Sequence, residues 1–376
     1  MPTSGPRLII AGGGTGGHVL PALAVVEELR RRGQLGPTLW IGSAGGVERE
    51  AAAGAGIPFR AIPTGKLRRY PSARTLVDAG RIPVGVAAAW RLVRAFRPEV
   101  VFSTGGFVSV PTVIAAARRC PILTHEQTAI LGLATRINAR VATVLAVSYD
   151  GAAPAARAIH RRVVVTGNPV RGSLAGGDAT RGLARWGFVP ELPLLYVTGG
   201  ARGATPLNDR LRALLPALLN HCQVLHQTGP ASANPDAAIL TRARDGWPNA
   251  LRPRYQVVEF VRDELPDVYA ATALVLGRAG AGTVAELAFL GKPSVLVPLP
   301  GAGGDEQTRN GRLLADLGAA VLLPQPEASP DRLREILTDL LDDPDRLAAM
   351  GIRARSAGHP DATARLADEL LDLAAT

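Results

Sequence analysis

The chain has 376 residues, 47% of them hydrophobic and 20% charged, a globular composition too long for one comfortable core, so two domains are expected. Its net charge of +10 is carried almost wholly by arginine, Lys66 and Lys292 being the only lysines, and it favours anionic partners. Aromatics at 4% argue against nucleic-acid stacking platforms, no apolar run reaches the roughly 18 residues of a membrane span, and the isolated Cys120 and Cys222 give neither a disulfide framework nor a metal spacing.

The first element is a buried strand, Leu8–Ala11, feeding the turn Gly12-Gly13-Gly14-Thr15-Gly16-Gly17-His18, after which a helical pattern is expected from Pro21 to Arg32. Glycines let the backbone approach a ligand closely, and the following helix start presents unpaired N–H groups that favour an anion. A histidine closing the loop adds an acid–base group beside that anion. Because glycines follow the first strand at once, the N-terminus does not resemble a secretory signal, and a cytoplasmic protein or one resting on a membrane from that side is expected.

Further strands are expected at Thr38–Ile41, Val100–Ser103, Ile122–Thr124, Val144–Val147 and Val163–Thr166. Between them, Gly65 to Phe96 mixes Lys66, Arg68, Arg69, Arg74, Arg81, Arg91 and Arg94 with Leu67, Tyr70, Leu76, Val77, Ile82, Val84, Val86 and Trp90. That mixture suits an interfacial membrane contact, or a solvated helix face with an ordinary core stripe. A hinge is expected near 167 to 190, where Gly167-Asn168-Pro169-Val170-Arg171 precedes Pro190 to Pro193. The pattern then restarts with strands at Leu194–Thr198, Gln223–Gln227, Gln256–Glu259, Leu274–Leu276, Ser294–Val297 and Ala320–Leu323, followed by a helical tail from Pro330 broken around Asp342-Asp343-Pro344-Asp345. Alternating strands and helices predict parallel sheets covered on both faces, in two similar halves with a cleft at the carboxyl ends of both sheets.

The first loop satisfies the dinucleotide pattern G-x-G-x-x-G, but the second strand ends Trp40-Ile41-Gly42-Ser43 without the ribose-binding acid that such sites carry, the next acid being Glu48. It is not a P-loop either, since no Gly-Lys-Ser or Gly-Lys-Thr follows. More glycine turns end strands at Gly105-Gly106-Phe107, Gly199-Gly200-Ala201-Arg202 and Gly277-Arg278-Ala279-Gly280-Ala281-Gly282-Thr283. Several such turns facing one cleft point to an anionic ligand between the domains. Glu286, on the helix opened by the last turn, either complements the helix dipole or accepts hydrogen bonds from vicinal sugar hydroxyls. The run Asp305-Glu306-Gln307-Thr308-Arg309-Asn310 is suited to reading hydroxyls, with Asp305 alternatively a helix cap, and His125-Glu126-Gln127 is expected to open into the cleft. No metal site is expected, because the only Asp-x-Asp, Asp343-Pro344-Asp345, reads as a helix break.

Together, Gly13 to His18, Gly105 to Ser109, His125 to Gln127, Gly167 to Arg171, Arg278 to Glu286 and Asp305 to Asn310 resemble one family, in order and spacing. It is the MurG-type group of glycosyltransferase family 28, membrane-associated enzymes that add N-acetylglucosamine to undecaprenyl-pyrophosphoryl-N-acetylmuramoyl-pentapeptide in peptidoglycan synthesis. The resemblance implies a GT-B fold, two Rossmann-like doubly wound domains facing across a cleft, an inverting mechanism, UDP-N-acetylglucosamine as donor substrate, and neither cofactor nor metal. It implies an acceptor and membrane domain at 1–168, a UDP-sugar domain at 169–355, and a final segment, 356–376, packing back on the first domain.

The catalytic residues implied are His18, as general base, and Glu286, on the donor ribose. Gly14, Thr15, Gly16, Gly17, Gly105 and Gly106 would hold the acceptor's pyrophosphate. Arg171, Gly200, Ala201 and Arg202 would lie at the donor diphosphate, Phe260 and Val261 beside uracil, and Arg278, Gly280, Ala281 and Thr283 in the donor loop. Gln307 would contact the sugar, as the family's residue at Thr128 does, and Gln127 and Thr308 are implied as further substrate-binding residues. Two positions depart from the family: Thr128 stands where an asparagine is usual, and Ala201-Arg202 where Ser-Gln is usual. A related GT-B transferase using another UDP-sugar or another acceptor is therefore the alternative. The partners implied are the nucleotide sugar, the lipid-linked acceptor and the anionic inner membrane surface on its cytoplasmic side, with no nucleic acid.

Overall fold

The computed structural model describes residues 5–65, 73–301 and 304–376, with the backbone alone for 73–79. Of the expected membrane stretch, Lys66, Leu67, Arg68, Arg69 and Tyr70 lie outside the described residues, as do the side chains of Arg74, Leu76 and Val77. The chain divides into two units, Met1–Arg171 with His359–Thr376, and Gly172–Gly358. The first division falls after Arg171 rather than Asn168 because Val170 stays tied to the first unit: its N–H donates to Thr363 Oγ1 at 3.1 Å, and that hydroxyl donates back to the Val170 carbonyl at 2.8 Å.

The first unit carries β1 Leu8–Gly12, β2 Thr38–Gly42, β3 Phe59–Ala61, β4 Val100–Gly105, β5 Ile122–Glu126, β6 Val144–Val147 and β7 Val163–Val165. They form one parallel sheet in the order β3-β2-β1-β4-β5-β6-β7. β1, β2, β4, β5 and β6 are buried along their whole length, as expected of strands covered by helices on both faces. β3 escaped the sequence reading because it is a three-residue edge strand with Arg60 and Ala61 exposed, showing neither an apolar run nor alternation. The first helix runs Gly16–Arg31, beginning five residues before the expected Pro21. Proline is accommodated inside it, since its missing N–H only leaves the Gly17 carbonyl without a helical donor. Gly16, Gly17 and His18 therefore belong to the first helical turn, and the loop proper is Gly13 to Thr15.

The helix Ala362–Ala374 packs Leu366, Ala367, Leu370 and Leu373 against Leu8, Ile10, Val26 and Phe102, and ion pairs Arg32–Asp368 and Arg162–Glu369 flank it. The tail breaks twice, between the helices Pro330–Leu341 and Pro344–Ser356 and again before Ala362.

The second unit carries β8 Leu194–Thr198, β9 Gln223–Gln227, β10 Tyr255–Val258, β11 Thr272–Gly277, β12 Ser294–Leu296 and β13 Ala320–Leu322, all parallel, in the order β10-β9-β8-β11-β12-β13. Leu195, Leu211, Leu215, Leu276, Val295 and Leu337 are among the residues of its core. In each unit the strand order reverses once, between β1 and β4 and between β8 and β11. A doubly wound sheet leaves its crevice outside the carboxyl ends of the two strands at that reversal.

Candidate active site

All four glycine turns sit at these reversals. In the first unit, Gly12 at the end of β1 pairs with Gly105 at the end of β4. The two turns interlock so closely that a Cβ on Gly106, at φ +74°, would lie 2.6 Å from the Gly13 carbonyl and 3.0 Å from the His18 ring. The turn after β4 is held by Asn138, whose amide donates to Ser103 Oγ at 3.2 Å and Ser109 Oγ at 2.8 Å, while Ser109 donates to the Gly106 carbonyl at 2.9 Å. Thr15 caps the helix in an extended conformation without a side-chain bond, and it is exposed. Gly16 and Gly17, at the helix start, are half-buried. A helix start leaves its first backbone N–H groups without helical partners, a polarity that favours an anion.

His18 sits on that first helical turn, half-buried, with Nδ1 2.9 Å from the Thr104 carbonyl and 3.0 Å from Gln127 Oε1. Its Nε2 makes no hydrogen bond with any described residue. A residue missed from sequence closes the turn from below. Glu48 is fully buried and accepts from the Gly14 N–H at 2.9 Å, the Ser43 N–H at 2.8 Å and the Ser43 hydroxyl at 2.6 Å. The acid is thus part of the loop, unavailable to a ribose, and the dinucleotide reading loses its last candidate. The only signal for it was a carboxylate opening a helix just after the glycine turn of β2.

In the second unit, the turn after β8 brings Gly200, at φ +78°, to donate its N–H to Thr198 Oγ1 at 3.1 Å, just before the helix Thr205–Leu218. Ala201 and Arg202 are exposed, and the Arg202 guanidinium bonds to no described residue. Gln227, also missed, ties three segments together: its amide donates to Thr198 Oγ1 at 3.2 Å, and its carbonyl accepts from Tyr196 OH at 3.2 Å and Val261 N–H at 2.9 Å. Phe260 is half-buried beneath the Arg262 guanidinium, 5.6 Å from the ring centroid. After β11, Gly280 opens the helix Ala281–Leu290 in an extended conformation, with Ala281 buried and Thr283 half-buried. Glu286 Oε2 accepts from Tyr269 OH at 2.8 Å, and Tyr269 is itself fixed edge-on against Tyr196, centroids 5.7 Å apart. Gln307 Oε1 accepts from the Leu299 N–H at 2.9 Å, while Thr308 donates to Asp305 Oδ1 at 2.7 Å. Asp305 occupies the helix-cap position at φ +61°, with no side-chain bond to a backbone N–H. Arg171, the last residue of the first unit before the division, is half-buried.

Two family models match, the glycosyltransferase family 28 N-terminal domain over residues 8–147 and the family's C-terminal domain over 194–366. The chain belongs to glycosyltransferase family 28. It is 38% identical over 372 residues to the UDP-N-acetylglucosamine--N-acetylmuramyl-(pentapeptide) pyrophosphoryl-undecaprenol N-acetylglucosamine transferase of Desulforudis audaxviator, covering 98% of this chain and 97% of that one. The protein of the same name from Treponema pallidum is 40% identical over 340 residues, covering 89% and 86%. The crystal structure of Acinetobacter baumannii MurG superposes with a TM-score of 0.71 at 28% identity, over 98% of this chain and 99% of the other. CalG4, the calicheamicin glycosyltransferase, shares the fold alone, at 18% identity and a TM-score of 0.64. The family 28 chain is a glycosyltransferase of the GT-B fold.

Three side chains expected at substrate are turned elsewhere. His125, Glu126, Gln127 and Thr128 are all buried rather than open. The Gln127 amide donates to the Thr104 carbonyl at 2.8 Å and lies 3.1 Å from His125 Nδ1. The Thr128 hydroxyl lies 2.8 Å from Glu126 Oε1 and 2.5 Å from the Ile130 carbonyl, and Glu126 also accepts from the Gly132 N–H at 2.8 Å. Arg278, 6% exposed, donates to the carbonyls of Val297 and Pro298 at 3.0 and 3.1 Å and to Gln325 Oε1 at 2.7 Å. In each case a buried polar group meets its nearest complementary partner, because leaving it unpaired costs about 1–3 kcal/mol. These residues shape the family 28 turns from behind.

Proposed function

We propose that this protein transfers N-acetylglucosamine from UDP-N-acetylglucosamine to a lipid-linked N-acetylmuramoyl-pentapeptide, with inversion. The observation that carries this is the paired glycine turns at both sheet reversals, one bearing His18 and the other leading to Glu286, in a chain so similar to relatives bearing that name. The first unit takes the acceptor, with its pyrophosphate at Thr15 to Gly17 and Gly105-Gly106. The second takes the donor, with the ribose hydroxyls on Glu286, the uracil beside Phe260-Val261, the sugar at Gln307, and the diphosphate at the Gly200 turn and Arg202, to which Arg171 at the end of the first unit adds a cation.

In the reaction, the acceptor hydroxyl oxygen bonds to the anomeric carbon as the bond to the UDP oxygen breaks on the opposite face. The hydroxyl proton passes to His18 Nε2, and UDP departs with the bonding electrons. General-base help of this kind contributes roughly 10²–10⁴ in rate. Charge growing on the diphosphate meets the N-termini of the helices Thr205–Leu218 and Ala281–Leu290 and the arginines, usually the larger contribution. The reading therefore invokes neither a cofactor nor a metal.

The helix Ala73–Phe96 supports a peripheral seat on the anionic cytoplasmic face of the membrane. Val84 and Trp90 are exposed on it, Ile114 is exposed on the helix Val110–Ala116, and the guanidiniums of Arg94 and Arg119 lie 5.4 and 5.0 Å from the Trp90 ring centroid. Among the described residues no helix is long and apolar enough to cross a membrane. The deciding experiment measures UDP release from several UDP-sugars in the presence of a lipid-linked muramoyl-pentapeptide. Turnover of UDP-N-acetylglucosamine dependent on that acceptor supports the proposal; turnover confined to another sugar or acceptor refutes it and favours the alternative that Ala201 and Thr128 raise.

A further inference from the structure

The bonds around Gln127 have a direction that can be read from their carbonyl ends, because a carbonyl only accepts. His18 Nδ1 lies 2.9 Å from the Thr104 carbonyl, so Nδ1 carries the proton and donates it there. Gln127 Nε2 lies 2.8 Å from the same carbonyl and 3.2 Å from that of His125, which fixes it as the amide nitrogen and puts Oε1 on the His18 side, 3.0 Å from Nδ1. The Nδ1 proton is therefore shared by two acceptors. Gln127 Nε2 also donates toward His125 Nδ1 at 3.1 Å, so that nitrogen is bare and the His125 proton is on Nε2. From there it is given to the Gly167 carbonyl at 3.1 Å, with Ser148 Oγ at 3.3 Å. Ser148 donates onward to the Glu126 carbonyl at 2.8 Å. Every strand of the network ends on a backbone carbonyl, and no second set of proton positions satisfies all of them.

We propose that Gln127, backed by His125, is a positioning residue that holds the His18 imidazole with its proton on Nδ1 and its lone pair on Nε2. This rests on the reading of His18 as the base and explains why that nitrogen is ready to take a proton. A neutral histidine with the opposite tautomer would present an N–H to the acceptor hydroxyl and stop the reaction. His125 is suited to its part because complete burial lowers its pKa to about 4, with the like charge of a protonated His18 adding to the effect, so it stays neutral and its Nδ1 keeps accepting. The other titratable groups nearby are engaged: Glu126 with Thr128 and Gly132, and Glu48 with Gly14 and Ser43. The family resemblance implied Gln127 as a substrate-binding residue; its 1% exposure puts it behind the base instead.

The test has a readout that a packing role would not move. Nitrogen-15 spectra of the full-length protein labelled at histidine are expected to show His18 as the Nδ1–H tautomer; an Nε2–H tautomer overturns the proposal whatever the variants do. Gln127→Glu puts a carboxylate against Nδ1–H, which favours the imidazolium. The acid limb of the kcat/KM profile is then expected to move up by about half a pH unit or more, since the base works only when neutral. Gln127→Leu leaves the Thr104 carbonyl as the one described acceptor of the Nδ1 proton and frees the ring to turn, so it is expected to lower kcat about tenfold or more with little change in either KM. If both variants fold and neither the acid limb of Gln127→Glu nor the kcat of Gln127→Leu moves, Gln127 merely packs and the proposal fails. His18→Ala separates this from the base assignment. Full turnover in that variant beside an Nδ1–H spectrum removes the base and supports the tautomer network, whereas an inactive variant beside an Nε2–H spectrum overturns the network and keeps the base.

Discussion

Glu48→Ala probes the acid beneath the first turn. The substitution removes both carboxylate oxygens from the Gly14 N–H, the Ser43 N–H and the Ser43 hydroxyl. The hydroxyl can rotate to another acceptor, so two backbone donors are left without partners, each at about 1–3 kcal/mol. Gly14 is half-buried and water recovers part of its share, which puts the expected loss at about 2–4 kcal/mol, a large part of the ~5–15 kcal/mol that holds a typical domain. Glu48→Gln keeps the volume and one acceptor, yet must set an NH2 against one of those N–H groups, so about half that loss is expected. Equilibrium urea unfolding of the full chain measures both. The proposed function puts the acceptor at the turn that Glu48 holds and the UDP-sugar on the second unit, so in steady-state assays the acceptor KM should rise while the UDP-sugar KM stays within about twofold. An alanine variant within 0.5 kcal/mol of the parent, on the scale of ordinary surface changes of about ±0.5 kcal/mol, would refute the reasoning. So would a rise in the donor KM alone.

Three other outcomes are expected. Tyr269→Phe removes the hydrogen bond to Glu286 and should weaken UDP binding by roughly 2–12-fold, from about 0.5–1.5 kcal/mol, in titration calorimetry, leaving the acceptor KM unchanged. Burial lowers the pKa of His125 to about 4 and of His226 to about 3, both from 6.5, so between those values the unfolded chain binds more protons than the folded one. Stability is then full above about pH 6.5 and declines as pH falls toward 4 and 3; replacing His226 with asparagine should flatten that decline in thermal melts across the range. Val84→Glu places a charge on the exposed apolar patch, so sedimentation with anionic vesicles should fall severalfold, while turnover of a short-chain soluble acceptor is unaffected.

Most strands could be placed from the chain because each is built on a short apolar run, as strands covered on both faces tend to be. The exceptions follow from the same physics: the edge strand Phe59–Ala61 has no covered face to advertise it, and Pro21 drew the helix start too late because proline is tolerated near a helix beginning. Among site residues, His18 and Glu286 stand on half-buried helical positions that the glycine turns made conspicuous. The family resemblance implied Gln127, Thr128 and Arg278 as substrate-binding, yet each is buried and bonded inward. Gln227 and Tyr269 carried no local signal, and Glu48 only that of a carboxylate opening a helix after a glycine turn.

What the sequence determined by itself is the alternation of strand and helix, the glycine turns that close it and the imidazole that follows the first of them. These are written in residues within one or two turns of each other, where hydrophobic period and backbone freedom act. Tertiary structure alone decided which turns became neighbours and which polar atoms met. Gly12 beside Gly105 is a matter of strand order, and the final helix is tied to the first unit through Thr363 and Val170, 193 residues apart. His18 and Gln127 are 109 residues apart. A hydrogen bond between such distant partners leaves no periodicity behind it, since its donor and acceptor are chosen by geometry that exists only once the first unit has folded.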